Sequence, residues 1–311
     1  MRVFVTGATG FVGQYVVAAL HAQGHEVVAL VRPGHRARLK PLAQDVSVVY
    51  GDVTEASTLE GALRGCEAVI NLVGILREAP LRGISFERVH VEGTRNLIEA
   101  ARMAGIRRFV QMSANGVKPE GTPYQVSKYA AEQLLKQSGL DWTIFRPSVI
   151  VGDTLGRTGF VDEIAQLMTF ALFFPLFGDG AYRLQPICVT DVAAVFARSL
   201  SLSDSIRQVY ALGGPEVISY REFVARIARA VGKPWLPLVP SPLPLVRLAI
   251  DVGELIPGFP LGATELTMLL EGNTCEDNRW AQTFGITPCP CHADLLSYLR
   301  RCERARRLNV S

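Results

Sequence analysis

The chain has 311 residues, 49% of them hydrophobic, and its 32 Lys and Arg against 29 Asp and Glu leave a formal charge of +3. This length allows one large domain with an appendage, or two domains. The near balance of charge argues against nucleic-acid binding across the surface, and we expect no nucleic-acid partner.

The amino-terminal stretch MRVFVTG leads directly into a strand pattern, without the apolar run and cleavage site of a secretory signal. We therefore expect a cytoplasmic protein. Six cysteines scattered through the chain favour free thiols over a disulfide framework. Cys289, Cys291 and His292 lack the spacing of a zinc motif, so we expect no metal site.

Short β-rich runs alternate with helical patterns through the first half of the chain. In order they are RVFVT, FVGQYVVAALHAQ, EVVALV, VSVVYG, STLEGALRG, AVINLVG, VEGTRNLIEAARMA, RRFVQMS, YAAEQLLKQ and WTIFRP. Strands and helices that alternate at this spacing predict an α/β fold, a doubly wound parallel sheet with helices on both faces.

The alternation loosens after about residue 150, and prolines interrupt the segment 233–262. The later runs RLQPICVTDVAAVFARSL and QVYALGG have strand and helix patterns that return to the first sheet. We therefore predict a dinucleotide-binding domain from residues 1–150 and 184–212. A smaller carboxyl-terminal domain takes residues 151–183 and 213–311.

Three glycines follow the first strand in the stretch TGATGFVG, at positions 7, 10 and 13. Glycine permits a tight turn and lets a ligand approach the backbone, and the amino terminus of the following helix offers N–H groups to an anion. The turn therefore predicts a pyrophosphate site. Its candidate cofactor-binding residues are Gly7, Thr9, Gly10, Phe11, Val12 and Gly13.

The second strand lacks the acidic residue that binds the ribose 2′-hydroxyl of NAD in this fold. It is followed instead by Arg32, Arg36 and Arg38. A guanidinium suits a 2′-phosphate, so the sequence favours NADP(H) over NAD(H). The pattern leaves open which arginine reaches the phosphate, and whether Arg32 is only a solvated loop charge.

Two further strand ends supply candidate cofactor-binding residues. Asp52, with Val53 beside it, follows the third strand, where a carboxylate accepts from an adenine amino group or caps the next helical turn. Val73 and Gly74 end the fourth strand, where a small residue lets the backbone pass close to the cofactor.

Tyr124 and Lys128 stand four residues apart at the start of a helical pattern, so their side chains share one face. A cation beside a phenol favours the phenolate, and we expect Lys128 to lower the pKa of Tyr124. The pair is then suited to general acid and base catalysis.

These motifs resemble the short-chain dehydrogenase/reductase superfamily, in its extended or atypical branch. The similar elements are TGATGFVG, GDVTE, NLVG, VHVEGTRNLIEAA, YQVSK, FRPSVIVG and LQPICVTDVA. More narrowly, NLVGIL, FERVHVEGTRNL, MSANGVKPEGTPYQVSK and LLEGNTCEDNRWAQTFGITP are similar to one subgroup. That subgroup comprises the nucleotide-binding accessory subunit of mitochondrial respiratory complex I and its bacterial homologues.

The resemblance implies roles for particular residues. Tyr124 exchanges a proton with the substrate oxygen, while Lys128 holds the nicotinamide ribose. Pro147 and Val149 lie against the nicotinamide.

The resemblance also exposes two departures from the superfamily. The serine or threonine that orients the substrate oxygen is replaced by Ala114, with Ser113 one residue earlier as a third candidate catalytic residue. Adjacent strand residues point to opposite faces, so Ser113 needs a local twist to reach the same place. An asparagine of the superfamily is His90 here, for which we expect a structural role.

Two segments point to partners. The run of arginines at 300–307 is a solvated helix end, or binds anionic lipid or an acidic subunit. The apolar, proline-rich segment 234–262 either lines a substrate pocket or joins that run in peripheral membrane association.

The sequence thus predicts an NADP(H)-dependent oxidoreductase that acts on the carbonyl or alcohol of a hydrophobic small molecule. A second hypothesis is a non-catalytic structural or sensor protein that holds NADPH within a protein complex. The third is an epimerase or dehydratase with a retained cofactor.

Overall fold

The computed structural model describes residues 1–39, 46–156, 159–253, 262–291 and 296–299. The chain divides into two compact units. The first comprises the described residues of Met1–Pro147, Val189–Leu212 and Glu276–Thr287. The second comprises those of Ser148–Cys188, Gly213–Cys275 and Pro288–Ser311.

The helices and strands are numbered in chain order. The strands are β1 (Arg2–Thr6), β2 (Glu26–Val31), β3 (Ser47–Tyr50), β4 (Ala68–Asn71), β5 (Arg108–Met112), β6 (Asp141–Pro147), β7 (Ile150–Val151), β8 (Phe174–Phe177), β9 (Arg183–Leu184), β10 (Ile187–Cys188), β11 (Gln208–Leu212), β12 (Ile218–Ser219) and β13 (Leu238–Ser241). The α-helices are α1 (Phe11–Ala22), α2 (Gly93–Met103), α3 (Pro123–Lys136), α4 (Phe160–Phe170), α5 (Val189–Ser199), α6 (Tyr220–Ala230), α7 (Leu243–Gly253), α8 (Ala263–Leu270) and α9 (Trp280–Thr283).

The first unit is built on a seven-stranded sheet in the order β11-β6-β5-β4-β1-β2-β3. Each neighbouring pair of strands is parallel. The order reverses direction at β1, which is the arrangement of a doubly wound nucleotide-binding sheet. The predicted fold class is therefore confirmed.

Helices cover both faces of this sheet because successive strand residues point in opposite directions. On one face, Phe109 of β5 and Ile144 of β6 share a buried cluster with Leu97 of α2 and Leu135 of α3. On the other, the ring of Phe145 lies 4.8 Å from that of Phe196 in α5, and α5 packs against α1.

The helix predicted from the run STLEGALRG is wrong. The structure forms only a 3₁₀ turn there, Ala56–Leu59. Gly61 and Gly65 follow with φ of +70° and +72°, in the left-handed region that interrupts a right-handed helix. The local glycines thus override the helical pattern of the apolar residues.

The second unit contains small paired strands and a helical core. The pairs are β7 with β10, β8 with β13 and β9 with β12, so the strand pieces at 183–188 join these pairs and not the seven-stranded sheet. Ile164 and Met168 of α4 pack in one cluster with Phe223 and Ile227 of α6. Among the described helices, none is both long and apolar enough to cross a membrane.

Candidate functional site

The carboxyl ends of the central strands meet at one edge of the parallel sheet. The register pairs Thr6 of β1 with Leu30 of β2 and with Asn71 of β4, and Asn71 with Gln111 of β5. The segments that follow these strands therefore emerge together, at the edge where ligands bind in doubly wound sheets.

The three glycines of the first turn meet different needs. Gly7 has φ of +74°, and a Cβ there would lie 2.9 Å from the carbonyl carbon of Leu72. A Cβ on Gly13 would overlap the carbonyl oxygen of Gly7 and lie 2.8 Å from the Cα of Ala8. A Cβ on Gly10 would meet only that oxygen, at 3.1 Å. Gly7 and Gly13 are thus required by the turn itself, and Gly10 leaves the approach open.

The amino terminus of α1 has the character of an anion site. Gly10 is its N-cap, without a side-chain capping bond, and the first turn contains no acidic residue. Thr9 and Phe11 are half-buried, while Val12 is buried. Backbone N–H groups at such an end suit a pyrophosphate, so this turn fits the predicted dinucleotide.

The candidate arginines after β2 are exposed. Arg32 and Arg36 are both exposed, and Arg36 begins a 3₁₀ turn that ends at Arg38. Since β2 lies beside β1, Arg32 leaves the sheet next to the glycine turn. The structure therefore brings Arg32 to the same edge as that turn, with an exposed side chain.

Asp52 and Val53 are tied into the first unit's own packing. One carboxylate oxygen of Asp52 accepts from the backbone N–H and the hydroxyl of Thr54, both at 3.0 Å. Val53 is buried, and a Cβ on Gly93 would lie 2.9 Å from it. These bonds form a local turn and not the predicted helix cap, because the 3₁₀ turn that follows begins at Ala56 and has no side-chain capping bond. Contact of Asp52 or Val53 with adenine stays a prediction.

Lys128 is buried and anchored by the strand ends. Its Nζ donates to the carbonyls of Val73 at 3.2 Å and Met112 at 3.4 Å. A Cβ on Gly74 would lie 2.8 Å from this Nζ, so the glycine makes room for the ammonium group. Burial lowers the pKa of Lys128 to about 8, against the opposing charge of Glu132.

Tyr124 lies one turn before Lys128 on the same helix and is half-buried. Its ring makes edge contacts with Phe86 at 5.8 Å and His90 at 5.6 Å. Its hydroxyl has no hydrogen-bond partner within the described residues. The expected lowering of its pKa by Lys128 is wrong, because burial raises the pKa of Tyr124 to about 12.

A capping box fixes where this helix begins. The backbone N–H of Thr122 donates to Oε1 of Gln125 at 2.8 Å, and the Thr122 hydroxyl accepts from the Gln125 N–H at 3.4 Å. Pro123 then supplies the first helical residue with its preset φ. Tyr124 is therefore presented from a defined helix start.

His90 connects the fourth strand's end to the helix of Tyr124. Burial, together with the charge of Lys128, lowers the pKa of His90 to about 2, so its ring is neutral. Nε2 accepts from the N–H of Ile75 at 3.0 Å, which leaves the proton on Nδ1 for donation to Ser127 Oγ at 2.9 Å. Ser127 donates in turn to the carbonyl of Tyr124 at 2.9 Å.

Ser113 points away from the place that Ala114 occupies. The N–H of Ser113 donates to the carbonyl of Phe145 at 2.7 Å, and that of Asn115 to the carbonyl of Pro147 at 2.9 Å. The strand pairing thus continues past β5 without a twist, so residues 113 and 114 face opposite sides. The buried hydroxyl of Ser113 has no partner in the described part of the chain.

The sequence analysis missed a buried amide network beneath these residues. Oδ1 of Asn71 accepts from the Thr6 hydroxyl at 2.7 Å, and its Nδ2 donates to Oε1 of Gln111 at 2.9 Å. These bonds join β1, β4 and β5 near their carboxyl ends. Polar residues at interior positions of apolar strands were the signal that could have found it.

The remaining predicted residues lie on either side of the unit boundary. Pro147 ends β6 in the first unit. Val149 belongs to the second unit, where it packs against the core. Their contact with nicotinamide stays a prediction. His292 and the segment 300–307 lie outside the described residues, among which no cluster of metal-binding side chains occurs.

Comparison with known proteins gives concordant matches. A family model described as NAD(P)H-binding matches residues 7–167. Ceramide reductase of Caulobacter vibrioides is 31% identical over 253 residues, 77% of this chain and 74% of that protein.

A second relative is mitochondrial subunit 9 of the NADH dehydrogenase [ubiquinone] 1 alpha subcomplex of Arabidopsis thaliana. It is 30% identical over 251 residues, 78% of this chain, and the chain spans 61% of its length. The fold also matches dTDP-glucose 4,6-dehydratase from Streptomyces venezuelae with NAD bound, with a TM-score of 0.73, 22% identity, and coverage of 99% of this chain and 98% of that one.

Proposed function

Because this chain belongs to the NAD(P)H-binding family, we propose that it is an NADP(H)-dependent oxidoreductase acting on the carbonyl or alcohol of a hydrophobic small molecule. The observation that carries the proposal is the buried ammonium group of Lys128, held by two backbone carbonyls. It lies one helical turn from Tyr124, whose hydroxyl makes no hydrogen bond within the described residues. Several relatives that are named reductases support this class of activity.

The dinucleotide would be held by the turn from Gly7 to Gly13, with its 2′-phosphate near Arg32 or Arg36. Lys128 would bind the nicotinamide ribose, and Asp52 and Val53 the adenine. Val73, Gly74, Pro147 and Val149 would lie near the remaining cofactor surface. When bound, the cofactor supplies or accepts the hydride.

The proton is supplied by the protein. Burial raises the pKa of Tyr124 to about 12, so the phenol keeps its proton at neutral pH and is suited to donate it to a substrate carbonyl oxygen. His90 is neutral and positions the helix start, while Ala114 offers no hydroxyl, so Tyr124 also has to orient the substrate oxygen.

An exposed apolar side chain, Leu76, supports a hydrophobic substrate. Leu76 is 56% exposed and follows Ile75, whose N–H donates to His90, and the His90 ring contacts that of Tyr124. A hydrocarbon group close to the reactive oxygen would cover Leu76 and remove apolar surface from water.

A second candidate function is a non-catalytic protein that holds NADPH within a protein complex. Ala114 favours it, because loss of an orienting donor at a reacting oxygen costs activity. The relative named as a subunit of NADH dehydrogenase supports the same alternative. The third candidate function, an epimerase or dehydratase, has less support. The similarity to the dTDP-glucose 4,6-dehydratase structure, at 22% identity, concerns the fold alone.

The test follows nicotinamide absorbance with purified protein, NADPH and long-chain ketones, aldehydes and quinones. We expect oxidation of NADPH, and in Tyr124→Phe a turnover about 10²- to 10⁴-fold lower with unchanged NADPH affinity, since only the proton donor is removed. Tyr129→Phe, on the same helix, is the control and should keep full turnover. Undiminished turnover in Tyr124→Phe would refute the assigned role, and tightly bound NADPH that no substrate oxidises would favour the second function.

A further inference from the structure

A group of large apolar side chains projects from the second unit into solvent. Phe170 is 91% exposed, Leu172 88% and Trp235 88%, with Phe173 and Leu167 at 56% and 50%. Scattered single apolar residues are normal on a protein surface, but a cluster of aromatic and leucine side chains is not. We call these five residues the apolar wedge.

The wedge follows from the two faces of α4. Ile164, Ala165 and Met168 pack in the unit's core. At 100° per residue, Leu167 and Phe170 turn to the opposite face of the helix. The helix therefore carries apolar side chains on its solvent-exposed face as well as on its buried face. The chain continues from this helix into Leu172 and Phe173.

Two distant segments of the chain bring the wedge together. Phe174 pairs with Leu238 in the parallel ladder of β8 and β13, and its N–H donates to the carbonyl of Pro237 at 2.8 Å. Lys233 Nζ donates to the carbonyl of Ala171 at 3.0 Å. These bonds hold the stretch that carries Phe170 to Phe173 beside the stretch that carries Trp235.

One of these two segments is uncharged, and the charges of the other are all basic. Residues 164–178 contain no ionisable side chain, and residues 223–250 contain four basic residues and no acidic one. Of the four, Arg226 is paired with Glu216 and Glu222, while Arg229 and Arg247 are exposed. The nearest acid along α4 is Glu163, two helical turns before Phe170.

We propose that the wedge docks the protein onto the surface of an anionic lipid bilayer. Tryptophan and phenylalanine favour the boundary between headgroups and acyl chains, and neighbouring basic residues favour anionic headgroups. Side chains that stand almost fully in solvent suit a soft layer into which they can insert. A second copy of the chain would instead need a matching hollow to receive them.

This surface extends the peripheral association expected from residues 234–262. It adds the stretch from Leu167 to Phe173, for which the sequence analysis made no such prediction. The proposal does not depend on oxidoreductase activity, because every contact that carries it lies within the second unit.

The experiment uses the intrinsic fluorescence of the full chain with vesicles. The chain has three tryptophans, of which Trp142 and Trp280 are 9% and 0% exposed. A spectral change on binding therefore reports on Trp235. We expect a blue shift, and quenching by lipids brominated on the acyl chains, with phosphatidylglycerol-containing vesicles and much less with pure phosphatidylcholine.

The variant for this test carries Phe170→Ser and Leu172→Ser and keeps Trp235 as the reporter. Both side chains are exposed, so thermal unfolding should match the wild type, while vesicle binding falls by roughly tenfold or more because less apolar surface inserts. Met103→Ser removes a side chain that is 83% exposed on the first unit and should bind like the wild type.

Three outcomes would overturn the proposal. One is wild-type protein that does not co-sediment with anionic vesicles. Another is co-sedimentation without a shift of Trp235 fluorescence, which would assign lipid binding to a different segment such as 300–307. The third is a dimer in solution, without lipid, that the double variant converts to a monomer, because a second copy then covers the wedge.

Discussion

Two regions of the sheet edge in the first unit are built in opposite ways. At the ends of β1 and β2, the glycine turn has no side-chain cap and the arginines are exposed. At the ends of β4 and β5, Lys128, His90 and Asn71 are buried and hydrogen-bonded. One region offers backbone groups and exposed charges, while the other offers buried, hydrogen-bonded side chains.

The difference matches what each region is proposed to do. An anion can be bound by backbone N–H groups and long flexible cations, since direction matters less than charge. Proton transfer requires the donor within hydrogen-bond reach of one atom, so its surroundings must be fixed in advance. The hydroxyl of Tyr124 is the exception in the second region, and it is the group expected to meet the substrate.

The largest expected effect is the difference between substitutions of Gly13 and Gly10 in the glycine turn. Gly13→Ala forces its Cβ into the backbone of Gly7 and Ala8, which should destabilise the fold by about 3 kcal/mol or prevent it from forming. Gly10→Ala meets only one oxygen at 3.1 Å. That variant should fold with nearly wild-type thermal stability and lose affinity for NADPH.

Thermal unfolding and NADPH titration of both variants measure the contrast. If Gly10→Ala unfolds as readily as Gly13→Ala, the middle glycine also serves the turn and not the ligand. If Gly10→Ala binds NADPH normally, the pyrophosphate does not approach this residue.

The second prediction concerns the fixed region and its pH dependence. With its pKa lowered to about 8 by burial, Lys128 carries its charge below that pH and loses it as the pH rises through that value. We therefore expect kcat/KM for reduction to decline above about pH 8. Tyr124, with its pKa raised to about 12, stays protonated over this range and adds no second inflection below it.

Lys128→Met keeps most of the side-chain volume and removes the charge. Its kcat/KM should be about 10²-fold lower and should not decline near pH 8, because the titrating group is gone. A decline that persists in Lys128→Met would assign the inflection to another group. Arg95→Met, which removes an exposed cation on α2, is the control and should keep the wild-type profile.

Local patterns in the sequence were enough to predict the parallel sheet, the glycine turn and the helix on which Tyr124 and Lys128 share a face. Contacts between distant parts of the chain were not readable. A side chain at position 7 would collide with Leu72, and one at position 74 would collide with Lys128. Both of these neighbours are distant in the sequence from the glycine that they contact. The pKa of Tyr124 depends in the same way on burial among residues from other elements, so spacing alone gave the wrong direction.

The smallest expected effect tests the exposed charges of the first region. Arg32 is exposed, beside the glycine turn, and its proposed contact is with a single phosphate on NADP(H). Arg32→Ala should weaken NADPH binding by roughly tenfold, as the loss of one charge-assisted contact, and leave NADH binding almost unchanged. Arg64→Ala removes another exposed arginine that does not follow β1 or β2. It is the matched control and should bind both nucleotides like the wild type. Equal losses for both nucleotides would remove Arg32 from the 2′-phosphate, and the same selective loss in Arg36→Ala would show that the two guanidinium groups share it, as expected for a region that binds by charge more than by fixed geometry.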